Sequence, residues 1–250
     1  MITVDNITKS FGEKQVLKGV SAQFAEGQTN LIIGQSGSGK TVFVKSMVGL
    51  HEIDGGTISY DGRALNEMDY DTRKLLRQEM GMVFQGGALF DSMTIQENVM
   101  FPLNMFSDMS DSEKLDRVNF CLKRVNLEKV NQLRPAEVSG GMQKRVAIAR
   151  SIVMEPKYLF CDEPNSGLDP QTAIVIDNLI QEITHEFNIT TVINTHDMNS
   201  VMEIGEHIVF IKEGHKAWEG NSEGLISTGN EAVSNFVFSS NLMRKIRAKI

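Results

Sequence analysis

The sequence predicts an α/β fold with a parallel central sheet, and three observations predict it. Short apolar runs in TNLIIG, YLFCD, TTVINTH and EHIVFIKEGH have the length of buried strands. Between them lie segments with helical periodicity, clearest in DPQTAIVIDNLIQEITHEF. Strands alternating with helices pack as a mostly parallel sheet covered by helices.

The elements follow in chain order. Residues 1–33 read as strands and turns: Ile2 and Val4 alternate with polar neighbours, and QVLKGVSAQF continues the period of two at Val16, Val20, Ala22 and Phe24. TNLIIG is a buried strand that ends in glycine, and TVFVKSMVGL after it is a helix. GGTISYDGR has the turn glycines of a hairpin at Gly55, Gly56 and Gly62. From about Asp69 to Glu155 the pattern is mostly helical, interrupted by the strand MGMVF. SDSEKLDRVNFCLKRVNL starts with a capping box, Ser110 with Glu113, and carries Leu115, Val118, Leu122 and Val125 at helical spacing. In the helix after YLFCD, residues Ile176, Leu179, Ile180, Ile183 and Phe187 share a face. The helical middle lies between two strand-rich parts, so it reads as an inserted lobe. Neither an internal repeat nor a low-complexity linker is evident.

Composition narrows the class. Of 250 residues, 41% are hydrophobic and 23% charged, which suits a globular protein with a sizeable core. A net charge of -7 argues against a surface built to hold nucleic acid. Cys121 and Cys161 stand forty residues apart, without a C-x-x-C pairing, which fits a reducing compartment better than a disulfide framework or a zinc site. The first residues, MITVDNITKSFGEK, do not read as a signal peptide, and no apolar stretch approaches the roughly 18 residues of a membrane span. Any work on a membrane is then expected at its surface or through a partner.

GQSGSGKT at 34–41 matches G-x-x-x-x-G-K-[ST] in full, between an apolar strand and a helix. Gly34, Gly37 and Gly39, with Ser36 and Ser38 between them, let successive backbone N–H groups point into one hollow, and the helix N-terminus adds positive potential. Lys40 can reach the β- and γ-phosphates of a nucleotide, and Thr41 can place its hydroxyl on Mg²⁺. Asp162 emerges at the C-terminal edge of the YLFCD strand, where open α/β sheets bind ligands. It is suited to hold Mg²⁺, and Glu163 to polarise an attacking water. Two adjacent acids also suit a solvated strand end.

SGGMQKRVAIAR at 139–150 resembles the signature of ATP-binding cassette (ABC) proteins. The order of parts agrees with that family: phosphate loop, Gln85, then Ser139, Gly140 and Gly141, then Asp162 and Glu163, SGLD at 166–169, and His196. The resemblance covers about residues 1–225. It implies a P-loop NTPase nucleotide-binding domain with an N-terminal antiparallel β subdomain, a RecA-like core at 1–85 and 159–225, an inserted helical lobe at 86–158, and a tail at 226–250. It implies ATP and Mg²⁺ as cofactors. Phe11 would stack on adenine, although a core or hairpin aromatic is the plain alternative. Gln85 would bind Mg²⁺ or the attacking water, and His196 would touch the γ-phosphate; a lone histidine also suits a polar strand end. Ser139, Gly140 and Gly141 open a helix, so they are an N-cap. In the family this loop faces the ATP of a second subunit, which implies a head-to-tail dimer around two ATP with Asp169 at the same seam.

GGALFDSMTIQENVMFPL at 86–103 and VSGGMQKR, with Met142 where many relatives have glutamine, resemble the Mla-type, MCE-associated ATPases of phospholipid transport linked to the outer membrane. That resemblance implies an integral membrane permease gripped near Gly87, Ala88, Leu89 and Phe90, an MCE protein reached through it, and a cytoplasmic position on the inner face of the bacterial inner membrane. Alternatively, Leu89 and Phe90 plug the lobe's own core. The end of the chain, SSNLMRKIRAKI, combines Arg244, Lys245, Arg247 and Lys249 with Leu242, Met243, Ile246 and Ile250 on one helix face. It reads either as a docking or lipid-touching helix or as a frayed terminus. Rival classes are a cassette of another transporter type, a cassette acting on nucleic acid or the ribosome, and an ATP-gated regulatory module. Nucleic-acid cassettes usually carry two cassettes or a long coiled-coil insertion, absent here, and Glu163 with His196 argues for real turnover.

Overall fold

The computed structural model describes residues 1–238, so the basic tail of SSNLMRKIRAKI lies outside the described residues. The chain forms two compact units, Met1–Met68 with the chain from Val192 onward, and Asp69–Thr191.

The first unit opens with β1 (Ile2–Phe11), β2 (Lys14–Phe24) and β3 (Thr29–Ile33), then α1 (Lys40–Met47), β4 (Gly55–Tyr60) and β5 (Arg63–Ala64). An antiparallel sheet has the order β2-β1-β4-β5. Ile2, Val4, Val20, Ala22 and Phe24 are buried as the period of two requires. Val16 departs from it: the ladder shifts register between the pairs Ile7↔Val20 and Thr8↔Lys18, where Gly19 has φ +81°, and Leu17 becomes the buried residue. The β4–β5 hairpin turns through Asp61 and Gly62, both at positive φ, the pair a tight primed turn needs.

The second unit contains α2 (Tyr70–Gln78), β6 (Met80–Val83), α3 (Ile95–Phe106), α4 (Asp111–Arg124), α5 (Gly140–Ile152), β7 (Tyr158–Asp162) and α6 (Pro170–Glu186). β6 and β7 run parallel, with Met80 opposite Tyr158 and Val83 opposite Cys161. The predicted capping box of Ser110 and Glu113 is formed, and a second one, Thr94 with Glu97, opens α3. Val118, Leu122 and Val125 are buried, whereas Leu115, at the edge of that face, is 36% exposed. On α6 the residues Ile176, Leu179, Ile180 and Ile183 are buried, each such burial contributing about 2 kcal/mol. Phe187 is exposed at the helix end and meets Phe120 edge-on instead.

Strand β8 (Thr190–Asn194) carries the chain back across the division, and α7 (Met198–Ile204), β9 (His207–Lys212), β10 (His215–Gly220), α8 (Ser222–Ser227) and α9 (Glu231–Val237) complete the first unit. β3 pairs in parallel with β9, Leu31 opposite Ile208, and β10 lies antiparallel on β9. Parallel strands flanked by helices explain why TNLII and IVFI are buried on both faces. Cys121 and Cys161 are free, buried thiols, and burial pushes the first up to about 11 and the second further. Among the described residues, no helix is long and apolar enough to cross a membrane.

Candidate active site

The phosphate loop joins β3 to α1. Gly34, Gly37 and Gly39 all have positive φ, so the backbone curls as no run of side-chain-bearing residues would. A Cβ on Gly34 would stand 2.2 Å from the Ile211 carbonyl oxygen, which makes glycine obligatory there. The Ser38 N–H donates to the Gln35 carbonyl at 3.1 Å and closes the turn. Lys40 is only 6% exposed, and its ammonium donates to the carbonyls of Gly34 (2.8 Å) and Gln35 (3.1 Å). A hollow of about 200 Å³ is lined by Gly37, Gly39, Lys40 and Thr41, with Val16 and Val42 beside them. The hollow lies at a helix N-terminus, and the buried Ser38 hydroxyl has no protein hydrogen-bond partner. Concavity, a lysine and helix-end N–H groups fit the phosphates of a nucleotide.

Other residues of the same unit complete this side. Thr41 is exposed at the start of α1, and its hydroxyl oxygen accepts from the Asn194 amide at 3.3 Å. Asn194 ends β8; sequence reading passed over it because a strand-end asparagine carries no pattern of its own. His196 is exposed two residues later. Asp197 then caps α7 through the Asn199 N–H (2.8 Å). Phe11 is 47% exposed at the end of β1. Its ring meets His51 edge-on at 5.2 Å, with the Lys9 ammonium 5.4 Å from its centroid. A ring that exposed is not a core aromatic, and its π-face suits a base.

In the second unit, Gln85 and Glu163 meet. Gln85 follows β6 and its Nε2 donates to Glu163 Oε2 at 2.9 Å, with the Ser166 hydroxyl at 3.4 Å. Glu163 has φ 47°, a left-handed conformation that costs a non-glycine residue roughly 1–2 kcal/mol. The turn is held by the Ser166 N–H donating to the Glu163 carbonyl (3.1 Å) and by buried Asn165, whose amide donates to both oxygens of buried Asp177 at 3.2 and 3.0 Å. Asp162 ends β7 immediately before this turn. Lys144, 7% exposed, donates to the Gln85 carbonyl; burial lowers its pKa and Glu163 opposes that.

The signature loop is an N-cap, as its residues require. Ser139 Oγ accepts from the Met142 N–H at 3.3 Å, while Ser139 and Gly140 remain exposed. A Cβ on Gly141 would stand 2.7 Å from Thr172 Cγ2, so the start of α5 lies against the start of α6. Asp169 caps α6, accepting from the N–H groups of Gln171 (3.1 Å) and Thr172 (3.0 Å) and from the Thr172 hydroxyl (2.6 Å). The Thr172 hydroxyl and amide hold its carboxyl below the usual range.

Beyond Gln85 the chain bends at Gly87 (φ 74°) and Ala88 (φ 47°). Leu89 is half-buried, but Phe90 is 40% exposed, with its ring 4.8 Å from that of Phe101. Buried Asn98 holds the Phe90 backbone, accepting from its N–H (2.7 Å) and donating to its carbonyl (3.1 Å). Phe84, Ala88, Phe90, Phe101, Pro102 and Phe106 line an open groove of about 450 Å³. Phe90 is therefore not a core plug.

A family model described as ABC transporter matches residues 17–166. The chain is 34% identical over 236 residues to a probable ribonucleotide transport ATP-binding protein, mkl, of Mycobacterium leprae, covering 94% of this chain and 68% of that protein. It is 40% identical over 228 residues to the glutamine transport ATP-binding protein GlnQ of Escherichia coli, covering 90% and 93%. A solved dimeric ATP-binding cassette, MJ0796, in a post-hydrolysis state bound to ADP and Pi, superposes with a TM-score of 0.80 at 33% identity, over 89% of this chain and 99% of that one. The solved structure of cbiO1 of Clostridium perfringens, part of the ABC transporter complex cbiONQ, gives 0.85 at 28% identity, over 98% of each. The fold, the phosphate loop and these similarities agree: the chain belongs to the ABC transporter family, as an ATPase subunit that binds ATP with Mg²⁺ and couples its hydrolysis to transport.

Proposed function

We propose that two copies of this chain close head to tail around two ATP and drive a permease that moves phospholipid between the inner and outer membranes of a bacterium. The observation that carries the transporter part is the exposed apolar groove immediately after Gln85. A monomeric surface seldom leaves six apolar residues in one hollow without a partner. A cytoplasmic helix of an integral membrane permease fits it, and on this reading the chain works at the inner face of the inner membrane. An MCE protein would be reached through that permease. The lipid part rests on the GALF, ENV and PL residues of 86–103 and on Met142; the relatives named above carry the names of other substrates.

Within that reading the working lobe is 86–158, inserted into a core of 1–85 and 159–225. Phe11 stacks on adenine; Gly34, Ser36, Gly37, Ser38, Gly39 and Lys40 bind the phosphates. Thr41, Gln85 and Asp162 would hold Mg²⁺, which would supply charge neutralisation to the phosphates. Glu163 accepts the proton of the attacking water, and His196 donates to the γ-phosphate oxygen. Ser139, Gly140 and Gly141 face the ATP held by the second copy, and closure excludes water.

Purification of the tagged chain at native level in detergent should bring down a multi-span membrane protein; isolation without one would sink the transporter partner. The complex in vesicles should show ATP-dependent movement of a fluorescent phospholipid. ATPase stimulation by glutamine or a ribonucleotide other than ATP, with no lipid movement, would overturn the lipid reading.

A further inference from the structure

We infer that Arg150 and Lys144, two cations of the signature helix, position Gln85 by clamping the backbone that follows it. This rests on the ATP-site reading above and adds two residues that it does not use. Lys144 donates to the Gln85 carbonyl. Arg150 donates through its two terminal nitrogens to the carbonyls of Gly87 (2.7 Å) and Ala88 (2.8 Å). Three of the four carbonyls from 85 to 88 are thus held by charged donors from one helix, α5.

The segment needs such a restraint. Gly86 and Gly87 give it the backbone freedom of two glycines, and a Cβ on Gly86 would meet nothing within 4 Å. Ala88 nevertheless sits at φ 47°, which an alanine adopts only when its surroundings impose it. The Arg150 fork supplies that constraint at the Ala88 carbonyl itself. Gln85 is exposed, and its side chain keeps Glu163 at 2.9 Å only while its main chain stays put. α5 in turn is seated on β6: a Cβ at Gly81 would stand 2.2 Å from the Ser151 carbonyl oxygen, next to Arg150.

The clamp also connects two surfaces. Arg150 lines the groove, with its guanidinium carbon 6.0 Å from the Phe90 ring centroid. The same helix starts at the exposed cap of Ser139, about 16 Å away along its axis at 1.5 Å per residue. Pressure on the groove therefore reaches Gln85 through the Gly87 and Ala88 carbonyls, and the signature loop through a rigid helix. Both cations are positioning residues: neither needs to touch nucleotide.

The test uses the full chain with Arg150→Met, Arg150→Lys, Lys144→Met and Lys144→Arg. Arg150→Met should speed hydrogen exchange of the Gly87 and Phe90 amides about tenfold. It should lower kcat for ATP about tenfold, with KM within about twofold of wild type. Arg150→Lys, which keeps charge but lacks the fork, should fall between; Lys144→Arg should restore what Lys144→Met loses. Wild-type exchange at Gly87 and Phe90 in Arg150→Met overturns the clamp, as does an unchanged kcat. If Arg150→Met does not fold, Arg150→Lys decides: wild-type kcat and exchange there overturn it. A wild-type chain without ATP turnover would be a failure of the ATP-site reading; the exchange measurement still decides the clamp.

Discussion

Gln85 Nε2 donates to Glu163 Oε2 across 2.9 Å, so the residue that leads into the apolar groove holds the carboxylate proposed above as the base. One hydrogen bond thereby links the ends of two elements, β6 and β7, that run side by side.

Glu163→Gln keeps an oxygen that can accept from Gln85 and removes the base. ATP binding should persist while kcat falls about 10²–10⁴-fold. The chain should accumulate as an ATP-bound dimer in size-exclusion chromatography with light scattering. Turnover at the wild-type rate would remove Glu163 from its assigned role.

Lys40→Ala deletes the ammonium that the Gly34 and Gln35 carbonyls hold in the phosphate loop. Affinity for a fluorescent ATP analogue should drop at least about tenfold. Affinity within twofold of wild type would contradict the phosphate assignment.

Leu89→Ala with Phe90→Ala truncates a half-buried and an exposed side chain. Folding should lose only about 1–2 kcal/mol, less than for fully buried positions. Urea denaturation measures that loss, and recovery of the membrane partner in detergent pull-downs should fall severalfold. A collapse of folding would return these residues to the core, and unchanged partner recovery by a folded variant would remove them from the docking surface.

Gly141→Ala places a methyl 2.7 Å from Thr172 Cγ2. The expected cost is about 1–3 kcal/mol in urea denaturation. Adding Thr172→Ser removes that methyl and keeps the hydroxyl that binds Asp169, so the double variant should recover most of the loss.

Asp169 supplies a pH dependence. Its folded-state pKa is lowered by the Thr172 hydroxyl and amide, so its stabilisation is fully present above the ordinary value of about 3.9. It is lost as pH falls below that value through the lower folded one. Asp169→Asn keeps a cap without a titrating group and should flatten the fall of Tm below about pH 4. Asp69, Glu97 and Glu113, lowered by their own cap bonds, should preserve part of the slope. An unchanged slope in Asp169→Asn would show that the cap bonds do not bind its carboxylate more strongly than its acid.

Much of the fold was legible because local physics writes it locally. A doubly buried strand must be an apolar run, which fixed TNLII, YLFC and TTVIN; a capping box at Ser110 must sit at a helix start. Val16, Leu115 and Phe187 departed because their burial depends on a bulge, a face edge and a helix end, none of which periodicity encodes. β10 was not anticipated, since HKAWEG lacks a run or a clean alternation and is a strand through its pairing with β9.

The sequence by itself determined the phosphate loop and the order of the family's motifs, because backbone curvature requires glycine and phosphate requires N–H groups and a lysine. Tertiary structure alone decided that Gln85 meets Glu163, that Arg150 and Lys144 grip the intervening backbone, and that Phe90 faces outward. Those contacts join residues some 60 to 80 positions apart. Hydrogen-bond geometry at that separation is set by how α5 and β7 seat on β6, not by any pattern along the chain.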